Sequence, residues 1–130
     1  MRRTGWAAGL LAAVLLVACA GAGGDRILRE SDNGKTATLT AGQHLRIELD
    51  SNQSIPYRWV VRSAPAAAVL TPVGDSSYIP SKSGRIGAPG HEVWEFQAVA
   101  PGTTTVVLSY EYLGPTPQTA RSWSVTVTVR

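Results

Sequence analysis

Beyond residue 35 the apolar residues recur at every second position. Leu45, Ile47 and Leu49 alternate with His44, Arg46, Glu48 and Asp50, and Trp123, Val125, Val127 and Val129 alternate with Ser124, Thr126 and Thr128. A period of two gives a segment one apolar and one polar face, which is the pattern of a half-buried strand. Looser versions cover 35–39, 57–62, 68–73, 92–99 and 103–112. Between them stand Gly42, Pro65, Pro72 with Gly74, Pro101-Gly102 and Gly114-Pro115, residues that break strands and make turns. No segment of this region carries a helical period. The expectation is an all-β domain of about seven strands, folded as an antiparallel sandwich of immunoglobulin-like type. Its core is expected from Leu45, Ile47, Leu49, Trp59, Trp94, Phe96, Val106, Leu108, Val125 and Val127. Trp59, Trp94 and Trp123 are read as core residues, because a large indole fills space between two sheets.

The first residues are of another kind. Arg2 and Arg3 precede an apolar stretch, 10–17, and then small residues, the layout of a secretory leader. The apolar run is shorter than the roughly 20 residues needed to span a bilayer as a helix, so a cleaved leader is expected, not an anchor helix. Leu16-Val17-Ala18-Cys19 ends it and resembles the lipobox of bacterial lipoproteins, in which the cysteine is acylated and becomes the new N-terminus. The organisation expected is a signal peptide over 1–18, a lipidated Cys19 holding the protein to a membrane, a flexible tether over 19–34 and a folded domain over 35–130. Ala20 follows Cys19 where an aspartate would signal retention, which by the same resemblance points to the outer membrane, with the domain facing the periplasm or the cell surface. Cys19 is the sole cysteine, so no internal disulfide is possible although the chain is exported. Loss of residues 1–18 lowers twelve basic residues to ten against nine acidic ones, a net charge of +1. No run of Lys and Arg interleaved with aromatics remains, which argues against a nucleic-acid partner.

The residues give catalysis little to work with. A hydrolase needs a nucleophile, a base and a group that orients the base. His44 and His91 are the only histidines, and no serine sits in a Gly-x-Ser-x-Gly turn. Glu92 and Glu95 are three positions apart, project from opposite faces of a strand and are read as solvated surface acids. No cluster of metal-ligating residues and no phosphate-binding loop is present in the sequence, and neither cofactor nor metal is expected. The chain is expected not to be an enzyme. Two loops stand out instead, Ser51-Asn52-Gln53-Ser54-Ile55-Pro56-Tyr57 and the segment 81–91 with Gly84, Gly87, Pro89 and Gly90. Long Gly- and Pro-rich loops on a rigid sandwich are where binding residues commonly sit.

These loops resemble those of the chagasin-like inhibitors of cysteine peptidases. That family has an Asn-Pro-Thr-Thr-Gly-Tyr loop, a Gly-rich loop ahead of an aromatic strand, and a third loop with Arg-Pro-Trp or Arg-Pro-Phe. Asn52, Gln53, Ser54, Ile55, Pro56 and Tyr57 take the first position. Gly87, Ala88, Pro89 and Gly90, followed by His91-Glu92-Val93-Trp94-Glu95-Phe96, take the second. The likeness runs from about residue 35 to 129. It implies three loops at one end of a sandwich, filling the active-site cleft of a papain-like peptidase reversibly and competitively, with the inhibitor acting as a monomer.

There are departures. Gln53 stands where the family has proline and Pro56 where it has glycine, so the first loop is expected to be stiffer and to follow a different path. The third motif is not legible. Arg121-Ser122-Trp123 comes nearest but falls where the last strand begins, which leaves Tyr112 and Leu113 as the third-loop contacts. Two functions are expected from these residues: inhibition of papain-like peptidases, or binding of another protein or a glycan by a noncatalytic envelope lipoprotein through the same loops.

Overall fold

The computed structural model describes residues 24–130. The leader, Cys19 and the first part of the expected tether lie outside the described residues. Nine strands form two packed sheets: β1 Arg26–Leu28, β2 Lys35–Leu39, β3 His44–Ser51, β4 Tyr57–Ser63, β5 Leu70–Pro72, β6 Ser77–Ile79, β7 Gly90–Ala98, β8 Gly102–Tyr112 and β9 Thr119–Val129. One sheet has the order β1-β3-β7-β5, with β6 also pairing with β7, and the other has the order β2-β9-β8-β4. This is the expected immunoglobulin-like sandwich. The core runs between the sheets, and all ten residues expected there are buried in it, together with Trp123, Tyr110, Leu28 and Leu39.

Two expectations need correction. The segment 19–34 is not a tether throughout, because β1 pairs with β3, Leu28 is only 2% exposed, and Glu30–Asp32 forms a 3-10 turn. The buried Trp123 indole N–H donates to the Arg29 carbonyl at 3.1 Å, so this segment closes the core over the tryptophan. The folded part thus begins near Arg26. Nor is the sandwich purely antiparallel: β1 runs parallel to β3, and β2 runs parallel to β9. The chain crosses from one sheet to the other between β1 and β2, and neither parallel pair has to be joined by a hairpin.

The register fixes which loops share an end. Ser51 pairs with Gly90, Ile79 with His91, and Tyr57 with Tyr112. Residues 52–56, 80–89 and 113–118 therefore emerge together, while 40–43 and 99–101 lie at the opposite end.

Candidate functional site

The shared end rests on a graded aromatic stack. Trp59 lies in the core with its ring 5.1 Å from Tyr110, Tyr110 is 5.4 Å from Tyr57, and Tyr57 is 5.5 Å from Tyr112. Arg121 completes the support. Its guanidinium sits 4.6 Å above the Tyr110 ring and 5.1 Å above Trp59, and it also reaches the Glu30 carboxylate at 2.9 Å and the Asp50 carbonyl at 3.2 Å. A cation held over desolvated aromatic faces gains about 0.5–2 kcal/mol, so Arg121 braces this end from within β9.

The first loop is organised by Asn52. Its side-chain oxygen accepts from the Ser54 backbone N–H at 2.9 Å and from the Ser54 hydroxyl at 2.6 Å, an Asx turn, while its amide donates to the Gly87 carbonyl of the second loop at 3.2 Å. Asn52 N–H donates to the Tyr110 hydroxyl at 3.2 Å. Asn52 is thus a tie between two loops and the stack, whereas Gln53, Ser54, Ile55 and Pro56 are exposed. Around Pro56 the Tyr57 N–H donates to the Ile55 carbonyl at 2.8 Å, a three-residue turn. Proline suits its centre, because the fixed φ lies close to the inverse γ-turn value and no N–H is needed there. The Pro56 carbonyl accepts from the Leu113 N–H at 2.8 Å, which ties the first loop to the third.

The second loop reaches its tip at Ile86. Ala88 N–H closes a turn on the Arg85 carbonyl at 3.2 Å, with Gly87 at φ +80°, a conformation that suits glycine. Ile86 occupies the outer corner and is fully exposed, at 105%. Gly90 is buried at the base: a Cβ there would run into the Ile79 carbonyl oxygen and the Tyr78 hydroxyl, so this glycine lets β6 and β7 pack closely. In the third loop the Tyr112 ring folds against Gly114, and Leu113 is 56% exposed. A shallow hollow of about 380 Å³ lies between the first and third loops, lined by Tyr57, Tyr112, Pro115, Thr116 and Gln118.

The structure therefore brings all twelve sequence-predicted contact residues to one end but divides their roles. Gln53, Ser54, Ile55, Pro56, Gly87, Pro89 and Leu113 face outward, Ala88 and Tyr112 are half-buried, and Asn52, Tyr57 and Gly90 hold the loops in place. Ile86 was not among them. Each loop raises one large apolar side chain into solvent, Ile55, Ile86 and Leu113. The signal for Ile86 was a lone branched apolar residue between two glycines.

Glu92 corrects another expectation. It is 7% exposed, and one of its carboxylate oxygens accepts from the Ser51 hydroxyl at 2.5 Å and from the Trp59 N–H at 3.2 Å. Since Trp59 belongs to the opposite sheet, Glu92 clasps the two sheets beneath the first loop. Glu95 is exposed, as are His44 and His91, and His91 Nε2 lies 3.1 Å from an Asp50 carboxylate oxygen. Among the described residues no group of His, Cys, Asp and Glu is placed to hold a metal ion.

A sandwich whose first loop is tied to both the second and the third at one end presents a preorganised binding surface. The sequence model of the Chagasin family peptidase inhibitor I42 matches residues 38–129, and the chain belongs to that family, whose members are inhibitors and not enzymes. Chagasin of Trypanosoma cruzi is 29% identical over 98 residues, covering 71% of this chain and 87% of chagasin. Among solved structures, the cysteine protease inhibitor EhICP2 from Entamoeba histolytica superposes with a TM-score of 0.69 at 23% identity, over 82% of this chain and 96% of that one. PbICP-C, solved in complex with falcipain-2, superposes with a TM-score of 0.54 at 20% identity, over 83% of this chain and the whole of its own.

Proposed function

We propose that this protein inhibits papain-like cysteine peptidases reversibly and competitively, by seating residues 53–56, 85–89 and 113–116 in the active-site cleft. The observation that carries this reading is the set of three apolar tips, Ile55, Ile86 and Leu113, exposed on loops that hydrogen bonds tie together. Preorganised loops lose little conformational entropy on binding, where a free, rotamer-rich side chain costs about 0.5–1.5 kcal/mol to immobilise. Buried apolar anchors then supply affinity. The inhibitor needs no nucleophile and forms no bond with the peptidase. Family membership and the solved complex of PbICP-C with falcipain-2 support the same partner class. The Leu113 N–H bond to the Pro56 carbonyl holds the third loop beside the first, although that loop lacks the family's third motif.

The second part of the proposal is the anchor: export, cleavage before Cys19 and acylation of its thiol, which place the domain on a membrane, most consistently the outer membrane. Leu16-Val17-Ala18-Cys19 behind a charged apolar leader supports it. Intact mass of the native protein tests it, and an unmodified residue 19 in a mature soluble product contradicts it. Steady-state kinetics test the inhibitor: the mature chain is expected to raise the apparent KM of papain at unchanged kcat and to remain uncut. Full papain activity at saturating protein would instead favour a lipoprotein that binds another protein or a glycan through these loops.

A further inference from the structure

The point where the chain enters the sandwich decides how an anchored domain stands. Gly24 lies beside Gln43, whose side-chain amide donates to the Gly24 carbonyl at 2.9 Å. From there β1 runs parallel to β3 toward the three loops, so the chain enters at the end opposite to them. The same end holds the Ala41 N–H bond to the Arg130 carbonyl at 3.2 Å and the Gly42 N–H bond to the Ala98 carbonyl at 2.8 Å.

Two lengths set the orientation. Residues 20–23 separate Cys19 from Gly24, and five residue steps reach at most about 18 Å even when fully extended. The path along β3 from Gln43 to Asn52 covers about 30 Å at roughly 3.3 Å per residue. To bring the loop tips down to a lipid surface with the domain upright, Gly24 would have to stand about 30 Å above it, beyond the reach of the connection. An inverted stance is excluded by length alone.

Neither broad face is suited to lying on lipid. The outer face of the β2-β9-β8-β4 sheet is a field of hydroxyls, with Thr36, Thr38, Thr103, Thr105, Thr126 and Thr128 in register. The outer face of the other sheet carries opposed charges, with Arg46 Nε 2.6 Å from a Glu48 carboxylate oxygen, and Glu95 paired opposite Arg46. A cluster of basic side chains is what draws a surface onto anionic lipid, and a large apolar face is what inserts. Ile27 and Ile79 are partly exposed on the second of these faces but stand opposite Arg46 and His91, and on the first Arg62 is paired with the Glu111 carboxylate, so neither face presents a broad apolar surface or a cluster of basic side chains.

We infer that the anchored protein stands with its 40–43 and 99–101 end toward the membrane and its three loops at the far end, where they meet peptidases free in the aqueous compartment. This inference rests on the proposed acylation of Cys19 and on the loop reading above, and it adds a direction of approach. The apolar tips Ile55, Ile86 and Leu113 are thereby held clear of the lipid that would otherwise compete for them.

The test uses the full mature lipoprotein in vesicles that carry a nitroxide on the lipid headgroup. Acylation occupies Cys19, so a cysteine introduced by Ala41→Cys or Thr116→Cys is the only free thiol for a fluorescent label. Strong quenching at position 41 with background quenching at 116 is expected. Equal quenching at both positions, or the reverse order, overturns the inference. In a second arm, the unlabelled vesicle-bound protein and the unlipidated Cys19→Ser chain are compared against papain. Apparent inhibition constants within about threefold are expected, well under the tenfold that about 1.4 kcal/mol represents. A large loss on the vesicle overturns the inference. If neither form inhibits papain, the inhibitor reading fails while the quenching pattern still decides the stance. A native mass without acyl chains removes the anchor and the inference with it.

Discussion

Glu92 illustrates what a single residue does at the base of this site. The parity of β7 puts it in phase with Trp94, Phe96 and Ala98, all buried, so its inward position was legible from the strand pattern. Its charge made it look like a surface acid, and the partners that stabilise it come from β3 and β4, which sequence distance conceals. Glu92→Ala leaves the Ser51 hydroxyl and the Trp59 N–H without an acceptor in a buried setting. Each such orphan costs about 1–3 kcal/mol, so a loss of about 2 kcal/mol or more is expected in urea unfolding, with Glu92→Gln losing less. An unchanged unfolding midpoint would contradict the clasp. Ser54 is the opposite case, exposed at the loop tip and bonded only to Asn52. Ser54→Arg is expected to abolish papain inhibition while shifting stability by about 0.5 kcal/mol or less, as exposed changes usually do. Full inhibition by that variant would place the contact surface elsewhere.

At the scale of elements, the seven strands read from the sequence all exist, and β2 keeps its expected bounds. The two missed strands, β1 and β6, have three residues each, too few to display a period. Their positions are set by partners: β1 by β3 alongside it, and β6 by β7. The close approach of β6 depends on Gly90. Gly90→Ala sets a methyl group against backbone at Ile79, which a flexible side chain cannot relieve, and overpacking of this kind costs about 1–3 kcal/mol. Weaker inhibition is expected too, since β6 leads into the second loop, and thermal unfolding together with papain kinetics would show both effects. In the first loop, Pro56 narrows the unfolded ensemble and fits the three-residue turn. Pro56→Gly is expected to lose about 0.4–1 kcal/mol of stability and to be cut faster between residues 53 and 57 by a broad-specificity protease. A cleavage rate equal to that of the parent chain would show that the two loop-to-loop hydrogen bonds, and not the proline, supply the stiffness.

For the whole molecule, alternation identified a sandwich, and two loops identified a family, because both signals are local in the chain. The motif of the third loop was not legible, although Tyr112 and Leu113 were placed there, and the reason is physical. The loop's place in the site comes from the Leu113 N–H bond to the Pro56 carbonyl and from the Tyr112 ring packed at a tilt against Tyr57, contacts made across more than fifty residues of sequence. Arg121 was singled out by type and proves to be a brace beneath the site, with its guanidinium spread over Tyr110 and Trp59. Supports and contacts thus look alike in a sequence and separate only when burial is known. The central proposal is that the three-loop end fills a peptidase cleft without forming a covalent bond. Calorimetric titration of the mature chain into two forms of papain tests this most directly, one with its catalytic cysteine replaced by alanine and one with its cleft filled by a bulky irreversible peptidyl inhibitor. Binding to the alanine form and none to the filled form is the predicted result. Equal binding to both would contradict the account, because the loops would then be engaging papain outside its cleft.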